Sequence, residues 1–262
     1  MTRDEDVSAT HDLLWTSGWD STFRLLSALL LEDARVRPHY IVDPPRASTH
    51  AELATMARIR DAIAAEHPEA SARLHPTCIT FKPAIPRIGI TTNRFDNLVA
   101  KAHLGTQYEW LARYAAGAGL VDLELAIHHD DKAHVHLDGH VVPIRTRSST
   151  VYRLGPGEAG SDLALFERFS FPVFDLTKLD MQRIAAEKDF ADLLELSWFC
   201  HRPLGTTPCG VCGPCFDAIR EGLGRRLPRA SHVRNRIYRV VPWRKVASKL
   251  GQLTGRASAQ PA

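Results

Sequence analysis

Apolar positions along the chain fall into short blocks whose spacing switches between strand-like runs and helical faces. Leu13-Leu14-Trp15 is a brief apolar run, after which Phe23, Leu25, Leu26, Leu29 and Leu30 recur on one helical face within residues 21–33. Arg35-Val36-Arg37-Pro38 breaks that helix, and HYIVDPP (39–45) reads as a buried strand ended by two prolines, with Asp43 at its C-terminal tip. Residues 48–68 predict a helix capped by Ser48 or Thr49, with Leu53, Met56, Ile59 and Ile63 at helical spacing. TCITFK (77–82) and LELAIHH (123–129) predict further strands, separated by a helix over 106–119 that ends in glycine. Strands alternating with helices imply an α/β fold, a parallel sheet with helices packed on its faces.

The regular alternation lapses after residue 129. The stretch 130–162 predicts a hairpin around Asp138-Gly139 followed by a flexible loop, and helical character returns over 176–198. His128, His129, His134, His136 and His140 crowd into this region, with His134 and His136 expected on one strand face. Two readings stand: a second metal site completed by Asp130 or Asp131, or a polar hairpin bordering the active site at the end of a parallel strand.

Length and charge narrow the classes. A chain of 262 residues suits one medium domain, or one with a small appendage. Its formal charge of +3 is small but unevenly spread. Basic residues crowd the C-terminal region from Arg220 to Arg256, opposed there only by Glu221, so a nucleic acid or an acidic protein is a candidate partner of this segment. The alternative is an amphipathic segment that packs Ile237, Val240, Val241 and Trp243 on the core, with TGRASAQPA disordered at the end. LLSALLL is too short to span a membrane, and the polar, acidic start lacks the apolar region of a secretory signal. A cytoplasmic location with no membrane contact is therefore expected.

Two motifs carry chemistry. The first is Thr16-Ser17-Gly18-Trp19-Asp20-Ser21-Thr22, placed between a predicted strand and a predicted helix. Such a turn brings backbone N–H groups to an anion at a helix N-terminus, where the macrodipole also favours negative charge. Gly18 allows close backbone approach, Ser17, Ser21 and Thr22 supply hydroxyls, and Asp20 is placed to hold Mg2+ on phosphates. The competing reading is a β-turn in which Asp20 or Ser21 caps a core helix. The second motif is Cys200-x8-Cys209-x2-Cys212-x2-Cys215. Four clustered thiolates make a closed tetrahedral Zn2+ site, with a [4Fe–4S] cluster as the rival. Cys78, alone in a strand, is expected to be a buried core residue.

Together these motifs resemble the 7-cyano-7-deazaguanine synthase family of PP-loop ATP pyrophosphatases, and the likeness covers about residues 12–220. That family's loop, S-G-G-x-D-S, aligns with Thr16-Ser17-Gly18-Trp19-Asp20-Ser21. The helix beginning Leu176-Thr177-Lys178 and the lead-in Ser197-Trp198-Phe199-Cys200 also match its pattern. The resemblance implies a Rossmann-like parallel sheet with helices on both faces over residues 1–195, a zinc-binding region over 196–222 and a basic tail over 223–262. It further implies ATP, Mg2+ and Zn2+ as cofactors. Thr16, Ser17, Gly18, Trp19, Asp20, Ser21, Thr22 and Asp43 would contact the nucleotide, with Asp20, Ser21 and Lys178 in the reaction itself. That reaction would activate a small-molecule carboxylate by adenylation, release pyrophosphate and pass the acyl group to an amine. A homodimer is compatible with this reading, as is an RNA-modifying enzyme or a nucleotide-binding scaffold without catalysis. The departures concern the substrate: Leu104-Gly105-Thr106-Gln107 stands where the family has P-x-R-N, and no counterpart of G-Y-P-D-C-R follows residue 129.

Overall fold

The computed structural model describes residues 10–146 and 149–240. Val241, Trp243 and the terminal TGRASAQPA therefore lie outside the described residues. The chain divides into two compact units between Trp198 and Phe199.

The first unit is a mixed α/β fold whose seven-stranded sheet is flanked by helices. Its strands are β1 (Thr10–Leu14), β2 (Arg35–Val42), β3 (Cys78–Phe81), β4 (Leu123–Glu124), β5 (Val141–Arg145), β6 (Thr150–Leu154) and β7 (Phe169–Phe171), in the order β3-β2-β1-β4-β7-β6-β5. The first five strands in that order run parallel, and the β5–β6 hairpin closes one edge antiparallel. The helices are α1 (Trp19–Leu30), α2 (Thr49–Glu66), α3 (Pro68–Arg73), α4 (Gly89–Lys101), α5 (Gln107–Gly117), α6 (His134–Leu137), α7 (Lys178–Glu187) and α8 (Ala191–Glu195). The second unit contains α9 (Gly213–Arg220) and α10 (Arg229–Val240). Among the described residues no helix is long and apolar enough to cross a membrane.

β2 starts at Arg35 and carries Pro38 within it, so the proline does not break the chain out of the sheet. The reason lies in which neighbour each residue faces. His39 O accepts from Trp15 N on one side, while Val36 O accepts from His75 N on the other. Pro38 shares the side of Val36, just before β3 begins opposite His39, so its missing N–H removes no ladder bond.

Cys78 is exposed at the start of edge strand β3, not buried as its isolation in an apolar run suggested. The helix predicted over 176–198 is two helices, broken where Asp189 takes a φ of 61°.

Behind the β1–α1 turn lies a charged cluster that the apolar periodicity concealed. Arg24, on α1, is 2% exposed and donates to both Glu124 oxygens at 2.7 and 2.8 Å. It also reaches Glu32, and His11 Nδ1 lies 2.7 Å from Glu124. Burial alone would push the Glu124 carboxyl up; the Arg24 charge and the bonds from His11 and Arg24 overcome it and bring the pKa down to about 2. The pair ties α1 to the centre of the sheet, since β4 lies between β1 and β7.

Candidate functional site

The parallel register Leu13↔Glu124 brings the segments that follow β1 and β4 to the same edge of the sheet. Past β1, Trp15 is fully buried; its N–H donates to His39 O and its Nε1 donates to Thr22 Oγ1 at 3.1 Å. Thr22 is thus turned into the interior. Ser17 adopts a φ of 55°, in the left-handed region that L-residues avoid. The Trp198 N–H holds it there, donating to Ser17 O at 2.7 Å. Ser17 is wholly buried, and among the described residues its Oγ has no hydrogen-bond partner.

Gly18 is the N-cap of α1, and among the described residues no side chain caps the helix, so the competing reading of an Asp20 or Ser21 cap does not hold. A helix N-terminus concentrates N–H groups and the positive end of the macrodipole, and here it belongs to a twelve-residue helix. Ser21 Oγ lies 3.4 Å from both Thr16 N and Gly18 O, weak contacts that keep the hydroxyl at the turn. Trp19 is buried at the first helical position.

Asp20, one residue further, gathers two nitrogen groups from distant segments. Lys178 Nζ lies 3.9 Å from its Oδ2, and His128 Nε2 lies 4.0 Å from its Oδ1. Lys178 is placed by a capping box at the start of α7: Thr177 Oγ1 accepts from Asp180 N while Asp180 accepts from Thr177 N. Those bonds hold the Asp180 carboxyl below its usual range. Asp43 follows β2 and pairs with Lys82 at 2.8 Å, and the Lys82 ammonium sits 5.5 Å from the Trp110 ring centroid. Thr16, Ser17, Gly18, Asp20, Ser21 and Lys178 are therefore brought to one place. Tyr108, which sequence reasoning missed, is buried nearby: burial and the charges of Asp131 and Asp20 push its phenol up, so it stays protonated.

The segment after β4 is not the predicted hairpin. His134–Leu137 is the short helix α6, and the hairpin forms later, from β5 and β6. His134 and His136 therefore share no strand face. His134 stacks on Phe174 at 4.1 Å, with burial and His129 lowering its pKa. His136 is buried with Nε2 unpartnered among the described residues, and His140 pairs with Glu158 at 2.7 Å. The His129 and His134 rings lie 5.2 Å apart, but the five imidazoles do not gather at one point. Among the described residues, the one group of His, Cys, Asp or Glu able to hold a metal is elsewhere.

That group is Cys200, Cys209, Cys212 and Cys215 in the second unit, all buried, with sulfurs within 4.8 Å of one another. Measured spacings are 3.9 Å for Cys209–Cys215 and Cys200–Cys212, and 3.4 Å for Cys212–Cys215. A tetrahedral ion with metal–sulfur bonds of ~2.3 Å requires sulfurs about 3.8 Å apart, so the set can hold a metal such as zinc. Backbone N–H groups of Cys209, Gly210 and Val211 point at the sulfurs of Cys200, Cys215 and Cys209, at 3.1 to 3.3 Å. The hydrogen bond between Cys212 and Cys215 pushes the Cys212 thiol down and that of Cys215 up.

α10 buttresses this knuckle with polar side chains. Arg234 donates to Cys209 O at 2.8 Å and to Pro208 O at 2.9 Å, and buried Asn235 donates to Gly210 O at 2.7 Å. The alternative in which the apolar residues of this segment pack on the core does not hold for Ile237 and Val240, which are exposed. No family model matches the sequence, and no curated protein matches it.

Proposed function

We propose that the β1–α1 turn is a PP-loop that binds the phosphates of ATP, within a Rossmann-like domain of the PP-loop pyrophosphatase type. The observation that carries this reading is Ser17. It is a buried residue held in a left-handed conformation, with an unpartnered Oγ, at the uncapped N-terminus of α1. Strain of that kind costs about 1–3 kcal/mol and collects at ligand sites, and the helix end supplies the N–H groups an anion needs.

Asp20 would hold Mg2+ on the phosphates, and Lys178 would neutralise charge that grows on them as pyrophosphate leaves. The chemistry is attack of a carboxylate oxygen on the α-phosphorus, with loss of pyrophosphate and formation of an acyl-adenylate. An amine then displaces AMP. A 7-deazaguanine-type acid is the class of carboxylate implied by the resemblance, although α6 stands where that family builds its pocket. The cysteine set is read as a structural Zn2+ site, because four protein thiolates leave the ion no open position.

A second reading, modification of RNA by the same ATP chemistry, is favoured by the exposed Arg225, Arg229, Arg236 and Arg239 in a region without acidic residues after Glu221. ATP binding by calorimetry tests the first claim. The wild type should bind ATP with Mg2+ and Asp20→Ala should not; equal binding by both would remove Asp20 from the site. Salt-dependent tRNA binding lost in Arg236→Glu/Arg239→Glu would favour RNA as the acceptor.

A further inference from the structure

His128 is 4% exposed and lies beyond the end of β4, at the sheet edge that carries the β1–α1 turn. Its Nδ1 accepts the Asp130 N–H at 3.1 Å. On that bond the neutral ring is assigned the tautomer with hydrogen on Nε2. That nitrogen faces Asp20 Oδ1 at 4.0 Å, and Lys178 Nζ faces the other oxygen at 3.9 Å. The two nitrogens thus flank the carboxylate that follows Gly18 and Ser17 at the start of α1. An Nε2 that carries a hydrogen cannot ligate a metal, but it can donate to an anionic oxygen.

We propose that His128 is a phosphate-contacting residue of this site, donating Nε2–H to a phosphoryl oxygen of the bound nucleoside triphosphate. The inference rests on the nucleotide reading of the β1–α1 turn. His128 would thus act with the α1 amides and Lys178, from the opposite side of Asp20, and would need no change of protonation to do so. The backbone of Asp130 fixes the ring, so the donor is oriented before the nucleotide arrives.

The test is calorimetric binding of α,β-methylene-ATP with Mg2+ to the full chain, compared across wild type, His128→Gln and His128→Leu. Glutamine keeps a donor near the Nε2 position; leucine fills the volume without one. Leucine should weaken binding about ten- to hundredfold, the scale of one hydrogen bond to a charged group. Glutamine should restore most of that loss, and the thermal melts should coincide. Wild type that fails to bind overturns the nucleotide reading and this proposal together. Tight wild-type binding matched by the leucine variant overturns this proposal alone. Equal weakening by both variants with a raised Mg2+ requirement makes His128 a metal ligand and also overturns it. If His128→Leu fails to melt cooperatively, His128→Asn, whose donor is set back from the site, replaces it with the same expected weakening.

Discussion

The β1–α1 turn and the cysteine knuckle are both tight reversals of the chain, yet they are held by opposite means. At the turn, Ser17 is strained and buried, Gly18 leaves α1 uncapped, and the nitrogens around Asp20 stand about 4 Å away. The surrounding structure imposes this arrangement: Trp198 holds the Ser17 carbonyl, and the Arg24–Glu124 pair anchors α1 to the sheet. At the knuckle every sulfur is enclosed, and the amides of the loop already point at sulfur. The knuckle brings four thiols close enough to hold a metal such as zinc, and those thiols repel one another once deprotonated. We read the turn as the place for a ligand and the knuckle as a staple.

The largest effect should come from removing the ion. Structural zinc contributes an apparent 10–16 kcal/mol or so in small metal-folded modules, so chelation or Cys215→Ser should strip about one equivalent of metal. Hydrogen exchange should then rise first across residues 200–235, with the β1–α1 turn still protected. Elemental analysis finding iron, with visible absorption, would replace zinc in this account. Simultaneous loss of protection at the turn would break the contrast between the two reversals.

Next in size is the anchor behind the turn. Glu124→Gln leaves Arg24 without its main counter-charge and should cost about 3–5 kcal/mol, read as a drop in denaturation midpoint. The same pair predicts an acid limit. The Glu124 carboxyl is brought from the ordinary glutamate range down to about 2, so its stabilisation is complete above that ordinary range and is lost as pH falls toward 2. The glutamine variant should lose that part of the pH dependence, and an unchanged acid profile would show that other carboxylates set it.

Gly210 gives a smaller effect at the knuckle. Its φ is 83°, and a Cβ there would lie 2.2 Å from Ser231 O. Gly210→Ala should cost at least about 1–3 kcal/mol and speed metal loss to a chelator. Ser17→Gly is the mirror case at the turn. Relief of about 1 kcal/mol of left-handed strain is partly offset by the freer unfolded chain, so melting should shift by no more than about 2 °C. A large destabilisation would mean that the buried Oγ matters to the fold itself.

Much of the scaffold was legible because it rests on local rules. The strand–turn–helix at residues 12–30, the α2 periodicity and the cysteine spacing each declare themselves within a short window. What escaped depends on partners far along the chain. Arg24 sits among leucines on an apolar face, and its burial is explained by Glu32 together with Glu124, a hundred residues away. The tract from His128 to His140 has turn residues suited to a hairpin, but its imidazoles go to Phe174, Glu158 and the vicinity of Asp20, so the chain coils into α6 instead. α10 inverts the usual rule: Ser231 and Asn235 are buried because the carbonyls of the knuckle need donors, and its apolar residues are left outside.

The sequence by itself determined the α/β alternation, the small-residue turn ahead of α1 and a four-thiol set spaced for one ion. Those features are encoded by periodicity and by neighbours a few residues apart. Only the tertiary structure decided that Ser17 is strained with its hydroxyl unpartnered, and that His128 and Lys178 converge on Asp20. Parallel strands deliver their C-terminal ends to one edge of the sheet whatever their separation in sequence. The meeting of residues 20, 128 and 178 is a property of that edge, and no local pattern announces it.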